Sequence, residues 1–126
     1  MSKVTLTLPH PPSINNYYKR RRGGGVYIGE AGLRFRSRVW QVVMERGQKN
    51  EWASPSLPLK GPLRVHIDWY PPDKRRRDTD NIRKALFDAM EEAHVFIDDS
   101  QIVDDRVIKR DPEKPGRVEV TLEEVC

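Results

Sequence analysis

Three segments with alternating apolar and polar residues, two segments with apolar residues at helical spacing, and their order along the chain predict an α+β fold, a small mixed sheet with two main helices. The 126 residues suffice for one hydrophobic core but not for two that each stand alone, so the reading is a single domain over residues 1–126. Apolar residues make up only 37% of the chain and charged ones 33%, which leaves a modest core and favours a homodimer that covers more apolar surface.

In chain order, Val4, Leu6 and Leu8 alternate with Thr5 and Thr7 as in a half-buried strand, which Pro9, Pro11 and Pro12 end. Ser13 to Gly25 reads as an exposed loop, because asparagines, tyrosines, basic residues and glycines follow one another without helical period. Between Glu30 and Arg46, Leu33, Trp40, Val43 and Met44 share one helical face, widened by Phe35, Val39 and Val42, and Gly47 is the expected stop. Three prolines and a glycine make Gln48 to Pro62 a long connection. Leu63, Val65, Ile67 and Trp69 alternate with Arg64, His66, Asp68 and Tyr70 to give the clearest strand. A basic loop leads to a second helix, Asp80 to Ala93, with Asp78, Thr79 or Asp80 as its N-cap. Ile102 to Lys109 and Val118 to Glu123 are the last strands, and the turn Asp111 to Gly116 between them predicts a C-terminal hairpin. Strand order stays open.

Composition narrows the function. Lys and Arg outnumber Asp and Glu by 23 to 19, and the basic residues cluster in two runs: Lys19, Arg20, Arg21 and Arg22, and Lys74, Arg75, Arg76 and Arg77. Such clusters favour a polyanion partner. The single cysteine, Cys126, excludes an internal disulfide and a cysteine-based zinc site. No apolar run is long enough to span a bilayer, and the N-terminus lacks the apolar core of a signal peptide, so a cytoplasmic setting is expected. His10, His66 and His94 have no zinc spacing and read as structural or surface residues.

The chemistry centres on acids. Asp78 and Asp80 stand at i and i+2, so on extended backbone both carboxylates point to one side, as ligands of a hard divalent cation would. A third carboxylate is sought at Asp98 or Asp99. The second helix rises roughly 18 Å, and the extended residues after it retrace about 20 Å, just enough to return to the helix start. Lys84, one turn after Asp80, is placed to stabilise charge on a phosphodiester under attack. Plainer readings stand beside these: Asp78 and Asp80 as helix caps, Asp98-Asp99 as a solvated turn, and Asp80, Lys84 and Asp88 as an ion-pair ladder. The four basic residues just before the acids favour a phosphate backbone as the partner, because adjacent like charges otherwise repel. The run Lys19 to Arg22, beside Tyr17 and Tyr18, reads as an arm for backbone contact or base stacking.

Leu8-Pro9-His10-Pro11-Pro12-Ser13, Asn15, Tyr17-Tyr18, Arg75-Arg76-Arg77-Asp78-Thr79-Asp80-Asn81 and Phe96-Ile97-Asp98-Asp99-Ser100-Gln101 together resemble, across nearly the whole chain, the RusA family of Holliday-junction resolvases. The resemblance implies a small homodimer that binds four-way branched DNA and nicks two strands symmetrically with Mg²⁺, for which Mn²⁺ substitutes. It also implies that Asp78, Asp80 and Asp99 are the metal-binding aspartates and Lys84 the catalytic lysine. His10 in place of a tryptophan, Thr79 in place of an apolar residue and the long 48–62 connection depart from the pattern without touching those four. Two rival readings remain, a DNA-binding protein without catalysis and a nuclease for another branched substrate or for RNA.

Overall fold

The computed structural model describes residues 3–49 and 57–125. Its elements are β1 (Lys3–Pro9), α1 (Ile14–Tyr17), β2 (Tyr18–Arg20), β3 (Val26–Ile28), α2 (Glu30–Lys49), β4 (Leu63–Tyr70), α3 (Thr79–Glu92), a 3-10 turn at Asp99–Gln101, β5 (Ile102–Lys109) and β6 (Arg117–Glu124). The three alternating segments are strands with the expected faces: Val4, Leu6 and Leu8, then Leu63, Val65, Ile67 and Trp69, then Val118, Val120 and Leu122, are all buried. They form one cluster with Phe35, Val39 and Val43 of α2 and Ile82, Leu86, Ala89 and Met90 of α3. Helices therefore cover one face of the sheet. The other face is polar and carries ion pairs such as Arg110–Asp68 at 2.7 Å.

The strand order is β1-β6-β4-β5, with β6 antiparallel to both neighbours and β5 parallel to β4. This corrects the expected C-terminal hairpin, because β5 and β6 are separated by β4. Parallel neighbours need a crossover rather than a tight turn, and α3 is that crossover. The chain then passes over the end of β4, where the Glu113 N–H donates to the Pro71 carbonyl at 2.8 Å, before entering β6. The charge on Asp104, Asp105 and Arg106, all exposed, suits an edge strand, whereas the apolar alternation of β6 suits an interior one.

Two further expectations change. Ser13–Gly25 is no plain loop: it holds α1, then β2, which pairs with β3 as Tyr18↔Ile28, Lys19↔Tyr27 and Arg20↔Val26. Gly23, Gly24 and Gly25, with φ of +87°, +113° and +87°, make the tight return that residues with a Cβ rarely adopt. In α2 the buried stripe is Phe35, Val39 and Val43, while Leu33, Trp40 and Met44 are exposed. Helical period identifies both stripes but not which one meets β1 and α3. The backbone also remains helical past Gly47 to Lys49. Of the expected 48–62 connection, residues 50–56 lie outside the described residues, as does Cys126, and Leu59 bridges to Phe96. Among the described residues no helix is long and apolar enough to cross a membrane.

Candidate active site

The chain leaves β4 through Pro71 and Pro72 and enters α3 at Asp78, whose extended backbone (φ −91°, ψ 145°) makes it the N-cap. An N-cap aspartate ordinarily accepts a hydrogen bond from the first turn. The Asp78 side chain makes no such bond, so capping does not account for its carboxylate. Asp80 is already helical, so the extended backbone that would turn both acids to one side ends at Asp78. Its side chain is 90% exposed and receives Arg83 Nη1 at 3.1 Å. Arg83 Nε also donates to Asp105 at 2.6 Å, which ties the first turn of α3 to the edge strand β5.

The ion-pair ladder is absent. Asp80 is engaged by Arg83, and Asp88 accepts from Arg36 Nη2 at 2.7 Å, from Arg36 Nε at 3.1 Å and from the Tyr17 hydroxyl. Tyr17 is fully buried, and Arg36 Nε also donates to its oxygen at 3.0 Å. Burial first, then the bond to Asp88, raises the Tyr17 pKa. Burial alone would lower that of Arg36, but its bonds to Tyr17 and Asp88 outweigh this and hold it above its ordinary value. Lys84 lies between these pairs, exposed, with its ammonium 5.0 Å from the centroid of the Tyr18 ring.

Asp98 and Asp99 differ sharply. Asp98 caps the 3-10 turn: its carboxylate accepts from the Ser100 N–H at 2.9 Å, and the Gln101 side chain accepts from the Asp98 N–H at 2.9 Å. The Ser100 N–H holds the Asp98 pKa below its ordinary value. Gln101 also donates to the carbonyls of Leu59 at 2.9 Å and Gly61 at 3.0 Å, anchoring the turn. The Asp99 side chain is exposed, and its N–H donates to Glu91 Oε1 at 2.9 Å. Within the chain, then, Asp99 stands beside the C-terminal half of α3 and not at its start. Glu91 is about 16 Å along the helix axis from Asp80. Among the described residues, the one group of three or more acid or imidazole side chains with ligand atoms within 4.8 Å of one another is Glu91, Asp98 and Asp99. Asp78 and Asp80 are not in it. Sequence reasoning missed Glu91, although its place two turns after Lys84, on the same helix face, was a signal.

The basic runs are not uniform. Arg77 is half-buried and donates to Asp73 Oδ1 at 2.7 Å, while Lys109 donates to the Arg77 carbonyl at 3.3 Å. The Arg77 side-chain bond, with the Arg75 N–H, lowers the Asp73 pKa to about 2. Lys74, Arg75 and Arg76 are exposed. Lys19, Arg20, Arg21 and Arg22 project on the β2–β3 ribbon, where Arg21 lies 5.6 Å from the Tyr27 ring. The Asp78 carboxylate, which caps nothing, the exposed Asp99, a Lys84 without an acidic partner among the described residues and exposed cations on two segments make a surface able to bind a polyanion and a hard cation.

Residues 9–123 match the family model for endodeoxyribonuclease RusA. The chain is 40% identical over 125 residues to the crossover junction endodeoxyribonuclease RusA of Shigella sonnei (strain Ss046), covering 99% of this chain and 98% of that protein. It is 39% identical to the protein of the same name from Escherichia coli (strain K12) and 38% identical to that of Enterobacteria phage 82, with the same coverage.

Proposed function

This chain belongs to the RusA family of endodeoxyribonucleases and is a crossover junction endodeoxyribonuclease, a Holliday-junction resolvase of DNA recombination and repair; we propose that it cuts with a divalent cation held by Asp78, Asp80 and Asp99. One observation carries that assignment: Asp78 occupies a helix N-cap without using its carboxylate as a cap. The donor set consists of carboxylates alone, which suits a hard cation, Mg²⁺ or its substitute Mn²⁺. When bound, such an ion supplies charge neutralisation at the scissile phosphate and activation of water. Asp98, whose Oδ1 caps the 3-10 turn, is the weaker candidate although it clusters with Asp99 and Glu91.

The chain's own groups do the rest. Lys84 offsets the negative charge that grows on the phosphate oxygens as the phosphodiester is attacked. Lys74, Arg75 and Arg76, with Lys19 to Arg22 on the ribbon, bind phosphates on either side of the cut and set the register of the junction. Arg77 shapes the loop through Asp73.

A homodimer belongs to the same reading. Asp78 and Asp80 lie at one end of α3 and Asp99 beside the other, so one cation held by all three requires a second chain whose α3 runs the opposite way. A twofold axis provides that arrangement and also matches the two equivalent strands of a junction. The exposed Leu33, Trp40 and Met44 on α2 provide apolar surface for it. Asp80→Asn is expected to abolish junction cleavage and leave junction binding in a gel shift unchanged. Retained cleavage would sink the metal assignment. Four-way junction, flap, linear duplex and RNA cleaved side by side test the substrate class.

A further inference from the structure

We propose that the Tyr18 ring is the platform that positions the Lys84 ammonium, and that Arg36 keeps Lys84 on it by occupying Asp88; the proposal rests on the catalytic reading of Lys84. Lysine at this place in a helix has an obvious alternative. Asp88 is four residues on, on the same face, and an i, i+4 ion pair would draw the ammonium along the helix and neutralise it. That pair does not form: Arg36 Nε and Nη2 and the Tyr17 hydroxyl all converge on Asp88 Oδ2, and the guanidinium offsets the charge that would draw the ammonium. Asp80, one turn before, is taken by Arg83. Lys84 is left with its full charge and rests over the negatively polarised face of Tyr18, 5.0 Å from the centroid.

The platform is held from behind. The Tyr17 and Tyr18 rings lie 4.6 Å apart, and Phe35 meets the Tyr17 ring edge-on at 6.5 Å. Gly32 allows the close approach: a Cβ there would stand 2.7 Å from the Tyr17 carbonyl oxygen. Tyr18 and Arg36 are thus positioning residues: they set where the positive charge stands without touching the phosphate.

A short variant series tests this, with junction at saturating concentration and single-turnover cleavage as one readout. The other readout, taken without metal or DNA, is the upfield ring-current shift of the Lys84 ε-methylene protons by NMR. Tyr18→Leu is expected to slow cleavage about fivefold, the factor that loss of an exposed cation–aromatic contact allows, and to abolish the shift, with junction affinity unchanged. Tyr18→Phe keeps the ring and is expected to keep both rate and shift. Arg36→Gln is expected to reduce both, and the added change Asp88→Asn to restore both, since it removes the competing carboxylate. Wild-type rate and shift in Tyr18→Leu would overturn the proposal, and so would a Tyr18→Phe as slow as Tyr18→Leu, which would move the role to the hydroxyl. Failure of the double variant to recover overturns the part assigned to Arg36. Lys84→Ala separates the two levels: if it cleaves like wild type, the catalytic reading of Lys84 fails and the platform's function with it. If Lys84→Ala is inactive while Tyr18→Leu is normal, the platform alone fails.

Discussion

Asp98 and Asp99 are adjacent, identical and both exposed, yet their backbone surroundings separate them. The first is committed to a capping box, whereas the second leaves its carboxylate available. Residue type cannot express that difference. His10 shows the same limit. Its place beside prolines leaves structural and surface roles both open, and the fold makes it structural: its Nε2 accepts from Trp69 Nε1–H at 2.9 Å, which requires that nitrogen to be unprotonated. Burial first, then Arg77, lowers its pKa from 6.5, with the Pro11 backbone and Asp73 opposing. A lowered folded-state pKa means that the unfolded chain binds the proton more readily. The neutral form's contribution is therefore complete above pH 6.5 and is lost as pH falls below that value. The urea midpoint is expected to drop between about pH 7.5 and 5.5, and to drop less in His10→Gln, whose carbonyl accepts from Trp69 without titrating. Equal drops in the two proteins would place the titration elsewhere.

At the scale of elements, period was a good guide to type and a poor one to orientation. The alternation in β1, β4 and β6 gave both strand and buried face, because side chains on a strand have two directions and only one is apolar. A helix offers overlapping stripes, and α2 buries Phe35, Val39 and Val43 while exposing Leu33 and Trp40. Proximity in sequence likewise suggested a β5–β6 hairpin, and β4 lies between them. The basic loop before α3 divides in the same way. Lys74 and Arg76 are exposed, whereas Arg77 is spent on Asp73. Replacing Lys74 and Arg76 with alanine is expected to make the slope of log junction affinity against log salt shallower by about one for each residue and to leave the unfolding midpoint unchanged. An unchanged slope would remove the loop from the DNA contact.

For the whole molecule, the separation of the acids along α3 leads to a subunit-mixing test. If each site takes Asp78 and Asp80 from one chain and Asp99 from its partner, a dimer of one Asp80→Asn chain and one Asp99→Asn chain keeps one intact site. Such heterodimers, purified by two tags, are expected to nick one strand of a junction without resolving it, while each homodimer is inactive. A heterodimer as inactive as both homodimers would place all three acids of a site in one chain. The amino-acid sequence by itself determined the α+β class, the strand faces, the two basic runs and the family, because alternation, charge clustering and ordered motifs are properties of neighbours along the chain. Only the tertiary structure decided the order β1-β6-β4-β5, which stripe of α2 is buried, the capture of Asp88 by Arg36 and Tyr17, and the place of Asp99 beside Glu91. Each of these is a choice among partners distant in sequence, made when the core closes and the competing charges are brought together.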